Sequence, residues 1–299
     1  MIVRVLGSAA GGGVPQWNCG CAHCAAARRG EAPRRSQSSL ALSPDGERWW
    51  LVNVSPDLAT QIEEFAPLQP RSLRGSPIVG MLLTDANVDH LGGLAVVRQT
   101  HPAGFTVYSS DVVRRIATAQ MAFATFEEPP HRWLSVEEPF TLGEGALRVT
   151  PLAVPGLTPG YAGRERTRGA VLAYRVEEPA SGASVLFAPV FAAVDQTLAA
   201  AIANADVAFL DGSFWSDDEM ENAGLDIKHA RSLGHLPIGG ADGSLAAIAG
   251  LHNRRIYTHV NNSNPLLDPA SAASQTLREA GAELAFDGME LRFTSPVHA

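Results

Sequence analysis

The sequence is short of cysteine, lysine and long apolar runs, and these shortages exclude several classes of function. Its 299 residues include three cysteines and one lysine, Lys228. A net charge of −8 argues against a nucleic-acid partner, because binding phosphates requires clustered Lys and Arg. No apolar run reaches the length of a membrane span, and the first residues lack the apolar stretch of a signal peptide. We therefore expect a cytosolic protein without a membrane partner.

The chain does have enough apolar residues for a large core, with 45% hydrophobic and 18% charged residues. Short apolar, β-branched runs predict ten strands. These are Ile2–Leu6, Trp49–Val54, Ile78–Leu83, Phe105–Tyr108, Ala146–Leu152, Ala170–Tyr174, Ser184–Phe187, Val207–Leu210, Arg255–Thr258 and Leu291–Thr294. The predicted helices are Pro56–Phe65, Leu91–Thr100, Asp111–Phe123, Val194–Ala203, Gly243–Leu251 and Ala270–Ala280. Runs of strands mixed with helices favour two packed sheets with outer helices. We expect one domain over residues 1–299, with irregular segments at Gly30–Ser36 and Gly212–Pro237.

The first concentration of metal-binding side chains lies at the end of a predicted strand. Ile78–Leu83 is typical of a buried strand and Leu91–Leu94 of a helix start, so Thr84–His90 forms the turn between them. Side chains on such turns project from the carboxyl ends of strands, where sites are commonly built. Two interpretations stay open: Asp89 and His90 belong to a metal site, or Asp89 caps the helix and His90 packs over the glycines.

Two further predicted strands end in a potential ligand. His259 follows one of them and Asp211 the other. Three strand ends that each carry a donor favour a shared metal site over chance placement. Two imidazoles and a carboxylate suit Zn(II) or Fe(II), and catalysis needs open coordination positions.

The three cysteines form a separate cluster at C-x-C-x-x-C spacing. Cys19, Cys21 and Cys24 can close around one tetrahedral ion, and Zn(II) is the obvious candidate in a reducing compartment. A catalytic thiol is the alternative, and the tight clustering favours a ligand set. A fourth ligand is required. Its candidates are His23, His229, His235, His252 and Asn262.

Other features near the strand ends have less specific interpretations. The glycine-rich segment Gly7–Pro15 lacks the Lys of a P-loop and the spacing of a dinucleotide fingerprint, which favours an active-site wall or close backbone packing. Asp57 either caps a helix or orients another site residue. For His101, His131 and His298 we expect surface or packing roles.

Together these segments resemble the metallo-β-lactamase superfamily, whose signature is H-x-H-x-D-H after an apolar strand. Here Asp85 and Asn87 stand at the first two histidine positions, while Asp89 and His90 match the last pair. His259 matches the superfamily's later strand-end histidine.

The same comparison shows departures from the superfamily pattern. Asp57 matches its early acidic position, but Leu152–Pro155 lacks the expected histidine and Phe187–Pro189 lacks the bridging aspartate. Asp211, one strand later, is the candidate replacement. The resemblance therefore implies that no standard di-zinc centre is present.

Four long blocks, spread over nearly the whole chain, closely resemble the PQQ biosynthesis protein B family. These blocks are Gly7–Cys19, Asp85–Leu94, Gly234–Ile238 and His259–Pro265. The resemblance implies an αββα sandwich, a structural zinc on the three cysteines and a role in making pyrroloquinoline quinone (PQQ). It also implies an iron- and O₂-dependent hydroxylation of the tyrosine ring in a glutamate–tyrosine crosslinked precursor.

The hypothesis that follows assigns Fe(II) to Asp89, His90 and His259, with Asp211 as a further candidate ligand. Asp57 and the Asp and Asn that replace the first two histidines are candidate catalytic or orienting groups. Two alternatives stay open: a non-catalytic carrier of PQQ or its precursor, and a metal-dependent hydrolase. An acidic ligand also needs local cations. Those available are Arg74, Arg98, Arg164, Arg166, Lys228 and Arg231.

Overall fold

Two seven-stranded sheets form the framework of the computed structural model, which describes residues 1–98, 103–119 and 123–293. The first sheet contains β1 (Ile2–Gly7), β2 (Ser39–Ser43), β3 (Trp49–Val52), β4 (Ile78–Leu82), β5 (Thr106–Ser109), β6 (Arg132–Ser135) and β14 (Glu290–Arg292). The second contains β7 (Phe140–Leu142), β8 (Leu147–Ala153), β9 (Leu172–Glu177), β10 (Ser184–Ala188), β11 (Val207–Asp211), β12 (Arg254–Thr258) and β13 (Ala282–Leu284).

Short helices connect these strands. They are α1 (Ala22–Arg29), α2 (Leu58–Glu63), α3 (Val88–Leu91), α4 (Leu94–Val97), α5 (Asp111–Thr118), α6 (Gln196–Ala203), α7 (Glu219–Asn222), α8 (Ala230–Leu233), α9 (Ser244–Ala247) and α10 (Ala272–Glu279). In the described ranges no helix combines the length and the apolar character needed to cross a bilayer.

Three apolar clusters arrange these elements as an αββα sandwich. The inner faces of the two sheets share one cluster, in which Leu82 of β4 and Phe209 of β11 are fully buried. Helices cover the outer faces, with Leu58 of α2 in the cluster on the first sheet and Leu198 of α6 in the cluster on the second. Each fully buried side chain of this size contributes about 2 kcal/mol to folding. The predicted pair of packed sheets is confirmed.

The strand directions bring the carboxyl ends of several strands to the same edge. In the first sheet β3, β4, β5 and β6 run parallel, and in the second β10, β11, β12 and β13 do so. Past the end of β1, the backbone of Ala9 forms a bridge to Val260 beyond β12. The two sheets are therefore tied together at the edge where β4, β11 and β12 end.

All ten predicted strands are present with shifted ends, and four strands were not predicted. One of these, β2, consists of serine, leucine and alanine, so its sequence lacks β-branched residues. The irregular structure predicted for Gly212–Pro237 is wrong in part, because α7 and α8 lie within it. Predictions at Thr100, His101, residues 120–122, Thr294 and His298 fall outside the described residues.

A candidate metal centre between the two sheets

The turn after β4 is held in place by close packing of glycines. The backbone N–H of Val54 donates to the His90 carbonyl oxygen at 2.7 Å, which joins the turn to the segment after β3. A Cβ added at Gly93 would lie 2.4 Å from the carbonyl oxygen of Ser55, so only glycine fits there. The predicted start of the helix at Leu91 is wrong, because two single turns are present, α3 before Gly92 and Gly93 and α4 after them.

Three side chains converge at this edge as the sequence predicted. Nε2 of His259 lies 3.1 Å from Oδ2 of Asp89, and Nε2 of His90 lies 3.6 Å from the same oxygen. The donor atoms of all three residues lie within 4.8 Å of one another. His90 and Asp89 follow β4, whereas His259 follows β12, so the cluster spans the two sheets.

Asp85 orients His90 from behind. Its Oδ2 lies 2.6 Å from Nδ1 of His90, and its Oδ1 accepts hydrogen bonds from the backbone and side-chain N–H groups of Asn87 at 2.8 Å. Burial alone would raise the pKa of Asp85, but the facing His90 lowers it. Asp85 is fully buried and contacts a ligand candidate instead of lining the cavity, whereas Asn87 lines it.

The charges around His90 favour its protonated form when no metal is bound. Burial alone would lower the pKa of His90, but Asp85 and Asp89 raise it to about 9. Burial alone would raise the pKa of Asp89, but His90 and His259 lower it. A metal ion at this site therefore has to displace a proton from His90.

A second chain of hydrogen bonds fixes the histidines on the other sheet. Oγ of Ser213 lies 2.7 Å from Nδ1 of His259 and 3.0 Å from Nδ1 of His235. Asp211 receives the Ser213 hydroxyl at 2.6 Å and lies 2.8 Å from Nδ1 of His235. The backbone of His259 has φ of 60°, an uncommon conformation for a residue other than glycine and one often found at functional sites.

His235 is a site residue that the sequence interpretation did not assign to this centre. We considered it a candidate ligand of the cysteine cluster, but it lies with Asp211 and His259 in a second group of donors within 4.8 Å. Asp211 is fully buried, accepts the Ser213 hydroxyl and faces Nδ1 of His235, which makes it a group that orients His235. The block Gly234–Ile238 carries part of the family resemblance, but no predicted strand there indicates where the His235 side chain lies.

Asp57 lies behind the glycine-rich segment. Its Oδ2 accepts the backbone and side-chain N–H groups of Gln37 at 2.9 and 3.0 Å, and Oε1 of Gln37 accepts the N–H of Gly12 at 3.1 Å. Although Asp57 precedes α2, its side chain makes no cap hydrogen bond. Of the two roles left open, the structure shows the orienting one, through Gln37 to a wall of the site.

One observation indicates that the cluster of Asp89, His90 and His259 fits a metal ion. Nε2 of His90 has no hydrogen-bond partner in the protein, and the side chain has no exposed surface through which solvent could supply one. A buried polar atom without a partner is costly, and it is a reason to look for an ion. Asp89 and His259 supply the remaining donors. Bound Fe(II) would supply redox chemistry with O₂, and bound Zn(II) would supply Lewis acidity.

The three cysteines also come together as predicted. Cys19, Cys21 and Cys24 are free thiols whose sulfur atoms lie within 4.8 Å of one another. Nδ2 of Asn262 lies 3.4 Å from Sγ of Cys24, and Nδ1 of His23 faces the Asn262 carbonyl oxygen at 3.0 Å. Among the candidates for a fourth ligand, Asn262 and His23 are at the cluster. His229 instead lies beside Asp217 and Glu221.

Glu219 of α7 joins the segments that follow β11 and β12. Its carboxylate accepts the N–H of Trp215 and the hydroxyl of Ser263, both at 2.5 Å. Burial raises the pKa of Glu219 to about 7. Between about pH 4.5 and 7 the unfolded chain loses this proton while the folded chain keeps it, so folding stability falls as the pH rises through this range.

We expect Glu219→Gln to remove this part of the pH dependence. Relative to the variant, the free energy of unfolding of the wild type should fall by up to about 3 kcal/mol between pH 5 and pH 8, since one pKa unit corresponds to about 1.4 kcal/mol. Urea unfolding at both pH values with zinc held constant measures the difference. Glu221→Gln, at an exposed position of the same helix, is the matched control and should keep the wild-type slope. An equal slope in wild type and Glu219→Gln would contradict the prediction.

The comparisons with known proteins agree with this architecture. Residues 48–260 match the family model of the β-lactamase superfamily domain. Coenzyme PQQ synthesis protein B from Bradyrhizobium diazoefficiens is 40% identical over 97% of this chain and 98% of its own length. The protein of the same name from Rhizobium meliloti is 41% identical over 97% of each chain.

Solved structures give the same result. Zn²⁺-bound PqqB from Methylobacterium extorquens is 36% identical, covers 98% of this chain and 100% of its own, and superposes with a TM-score of 0.91. A diphosphatase of the PhnP family is 21% identical with a TM-score of 0.70 over 98% of each chain, which shows a common fold.

The fold and the matched domain place this chain in the metallo-β-lactamase superfamily. Within the superfamily, it belongs to the coenzyme PQQ synthesis protein B family. Both resemblances inferred from the sequence are confirmed.

Proposed function

We propose that the chain acts in PQQ synthesis as a metal-dependent enzyme that hydroxylates the tyrosine ring of a glutamate–tyrosine crosslinked precursor, using Fe(II) and O₂. Its family membership supports the role in PQQ synthesis. Asp89, His90 and His259 would hold the iron. Each added hydroxyl group takes one oxygen atom of O₂, and the other leaves as water, with two electrons from an external reductant and two protons from solvent.

The observation that carries this proposal is the ligand set itself. Two imidazoles and one carboxylate converge with a buried, unpartnered nitrogen of His90 among them. This is the donor set of non-haem Fe(II) oxygenases. Pro155 and Pro189 occupy the positions at which the superfamily resemblance leads us to expect ligands of a second metal, so the donors favour chemistry at a single ion.

The chain's own residues have defined roles in this proposal. Asp85 holds Nδ1 of His90, which leaves Nε2 directed at the cluster. Ser213 likewise holds Nδ1 of His259. Such partners fix the orientation of ligating histidines, and their loss commonly lowers metal affinity 10- to 100-fold. Asp211 holds His235 on the cavity wall, and His235 can serve there as a further ligand.

Oxygen uptake by differently loaded protein tests the proposal. Protein purified without air is loaded with Fe(II) or Zn(II) and given the crosslinked precursor, a reductant and O₂. We expect oxygen uptake and a product heavier by whole oxygen atoms with Fe(II), and neither with Zn(II). Hydrolysis by the zinc form without O₂ would instead indicate a hydrolase. Tight binding of PQQ without turnover under either metal would indicate a carrier.

A further inference from the structure

Three of the chain's arginines are concentrated in one loop between β8 and β9. We call residues 156–169 the arginine loop; it contains Arg164, Arg166 and Arg168, with Glu165 as the acidic residue among them. All three arginines are exposed. In a chain of net charge −8, this loop is a local concentration of positive charge.

The arginine loop separates two cavities. Arg164 lines the cavity of about 230 Å³ that also contains Asp89, Asn87 and His259, and it is the one Arg or Lys on the wall of that cavity within the described ranges. On its other side the loop borders a cleft of about 780 Å³, which Arg166 and Arg168 line. A ligand at the metal centre therefore meets the guanidinium of Arg164.

The charge of Arg164 is not neutralised by a carboxylate in the described part of the chain. Nη1 of Arg164 donates to the carbonyl oxygen of Ser232 at 3.2 Å, and no ion pair involves it there. By contrast, Arg231 pairs with Asp242 at 2.6 Å and Lys228 with Asp226 at 3.0 Å. Of the cations that the sequence offered for an acidic ligand, Arg164 combines a place in the cavity with an unpaired charge.

The loop is also fixed before any ligand binds. The N–H of Arg164 donates to the Pro159 carbonyl oxygen at 3.2 Å, and the Glu165 N–H donates to Oγ1 of Thr158 at 2.8 Å. The hydroxyl of Tyr161 donates to the Ala86 carbonyl oxygen in the turn after β4. Arg164 itself has φ of 52°, a conformation that the surrounding bonds must maintain. A group held in its binding geometry loses less entropy when its ligand binds.

We propose that Arg164 binds a carboxylate of the ligand and thereby selects acidic small molecules for the metal centre. Arginine forms forked, charge-assisted hydrogen bonds with carboxylates. A ligand with a carboxylate is therefore oriented with that group toward the arginine loop. This inference rests on the proposed function for the identity of the site, but its test requires no turnover.

Binding of PQQ, which carries three carboxylates, and of its uncharged trimethyl ester tests the inference. Affinities are measured by calorimetry on zinc-loaded protein for the wild type, Arg164→Gln, Arg164→Lys and Arg74→Gln. Arg74 is the matched control, because it is exposed in the connection that leads to the start of β4, at the opposite end of that strand from the site. Thermal unfolding of each variant checks that it folds.

We expect Arg164→Gln to weaken PQQ binding about 10- to 100-fold, the range for a lost charge-assisted hydrogen bond, and to change ester binding less than threefold. Arg164→Lys should lie between, since it keeps the charge but not the fork, and Arg74→Gln should equal the wild type. Unchanged PQQ affinity in Arg164→Gln, an equal loss for acid and ester, or no PQQ binding by the wild type would each overturn the inference. If the binding results contradict the role of Arg164 but iron-dependent oxygen uptake is observed, only this inference fails. If the binding results are as expected but no oxygen uptake occurs, only the proposed function fails.

Discussion

His90→Ala is expected to remove the metal ion from the active site and to reduce oxygen uptake at least about 100-fold. The substitution deletes one of three converging donors, and loss of a supporting group alone commonly costs 10- to 100-fold in metal affinity. It also leaves the buried carboxylate of Asp85 without its imidazole partner. Metal analysis by mass spectrometry and oxygen uptake by the iron-loaded protein measure the two effects.

The control is a buried histidine with a packing role. His131 is 5% exposed and its ring stacks against Phe105 and contacts Phe126, away from the metal centre. His131→Ala removes a ring of the same size, so it should lower stability but keep the iron. Full iron content and oxygen uptake in His90→Ala would refute the ligand assignment, and metal loss in both variants would trace the effect to general destabilisation.

Cys24→Ala is expected to release one zinc ion and to destabilise the chain by about 3 kcal/mol or more. Cys24 is the buried member of the cysteine cluster, and its Sγ also accepts a hydrogen bond from the backbone N–H of Gln16 at 3.4 Å. Structural zinc contributes its binding free energy directly to folding. Loss of the zinc therefore destabilises the chain more than loss of a buried thiol alone. Zinc content and urea unfolding, with and without a chelator, give the measurement.

Ala22→Ser tests whether the effect is specific to the cysteine ligand. Ala22 is exposed at the start of α1, between the same cysteines in sequence, and its substitution leaves all three sulfur atoms in place. We expect a change within about 0.5 kcal/mol, as for other surface positions. A chelator should destabilise the wild type and Ala22→Ser more than Cys24→Ala, which keeps only the metal ion at Asp89, His90 and His259. If it destabilised all three equally, the cysteine cluster would not hold the zinc.

The sequence predicted the parts of the site that lie on regular elements. Asp89 and His90 could be placed because an apolar strand precedes them and glycines follow, and His259 because β12 ends just before it. The direction of Asp85 could not be predicted, since only the folded turn shows that its carboxylate faces His90. His235 lies after α8 in a segment without periodic apolar residues, so its approach to His259 depends on the tertiary fold.

The sheets were predictable to a similar degree and for a similar reason. Strands with branched apolar residues were recognised, whereas β2 and the short β7 and β13 are stabilised by their neighbours rather than by their own composition. The arginine loop contains a cluster of charge that is visible in the sequence. Its position over the cavity follows from the bonds of Tyr161 and Thr158, which no local pattern indicates.

The placement of the candidate metal ligands on both sheets has a consequence for residues far from them. Because His90 follows β4 and His259 follows β12, the separation of their nitrogens depends on the thickness of the core between the sheets. Phe187 and Phe209 pack within that core with ring centroids 6.3 Å apart. A change in the volume of either side chain would therefore alter the spacing of the sheets and, with it, the distance between the two histidines.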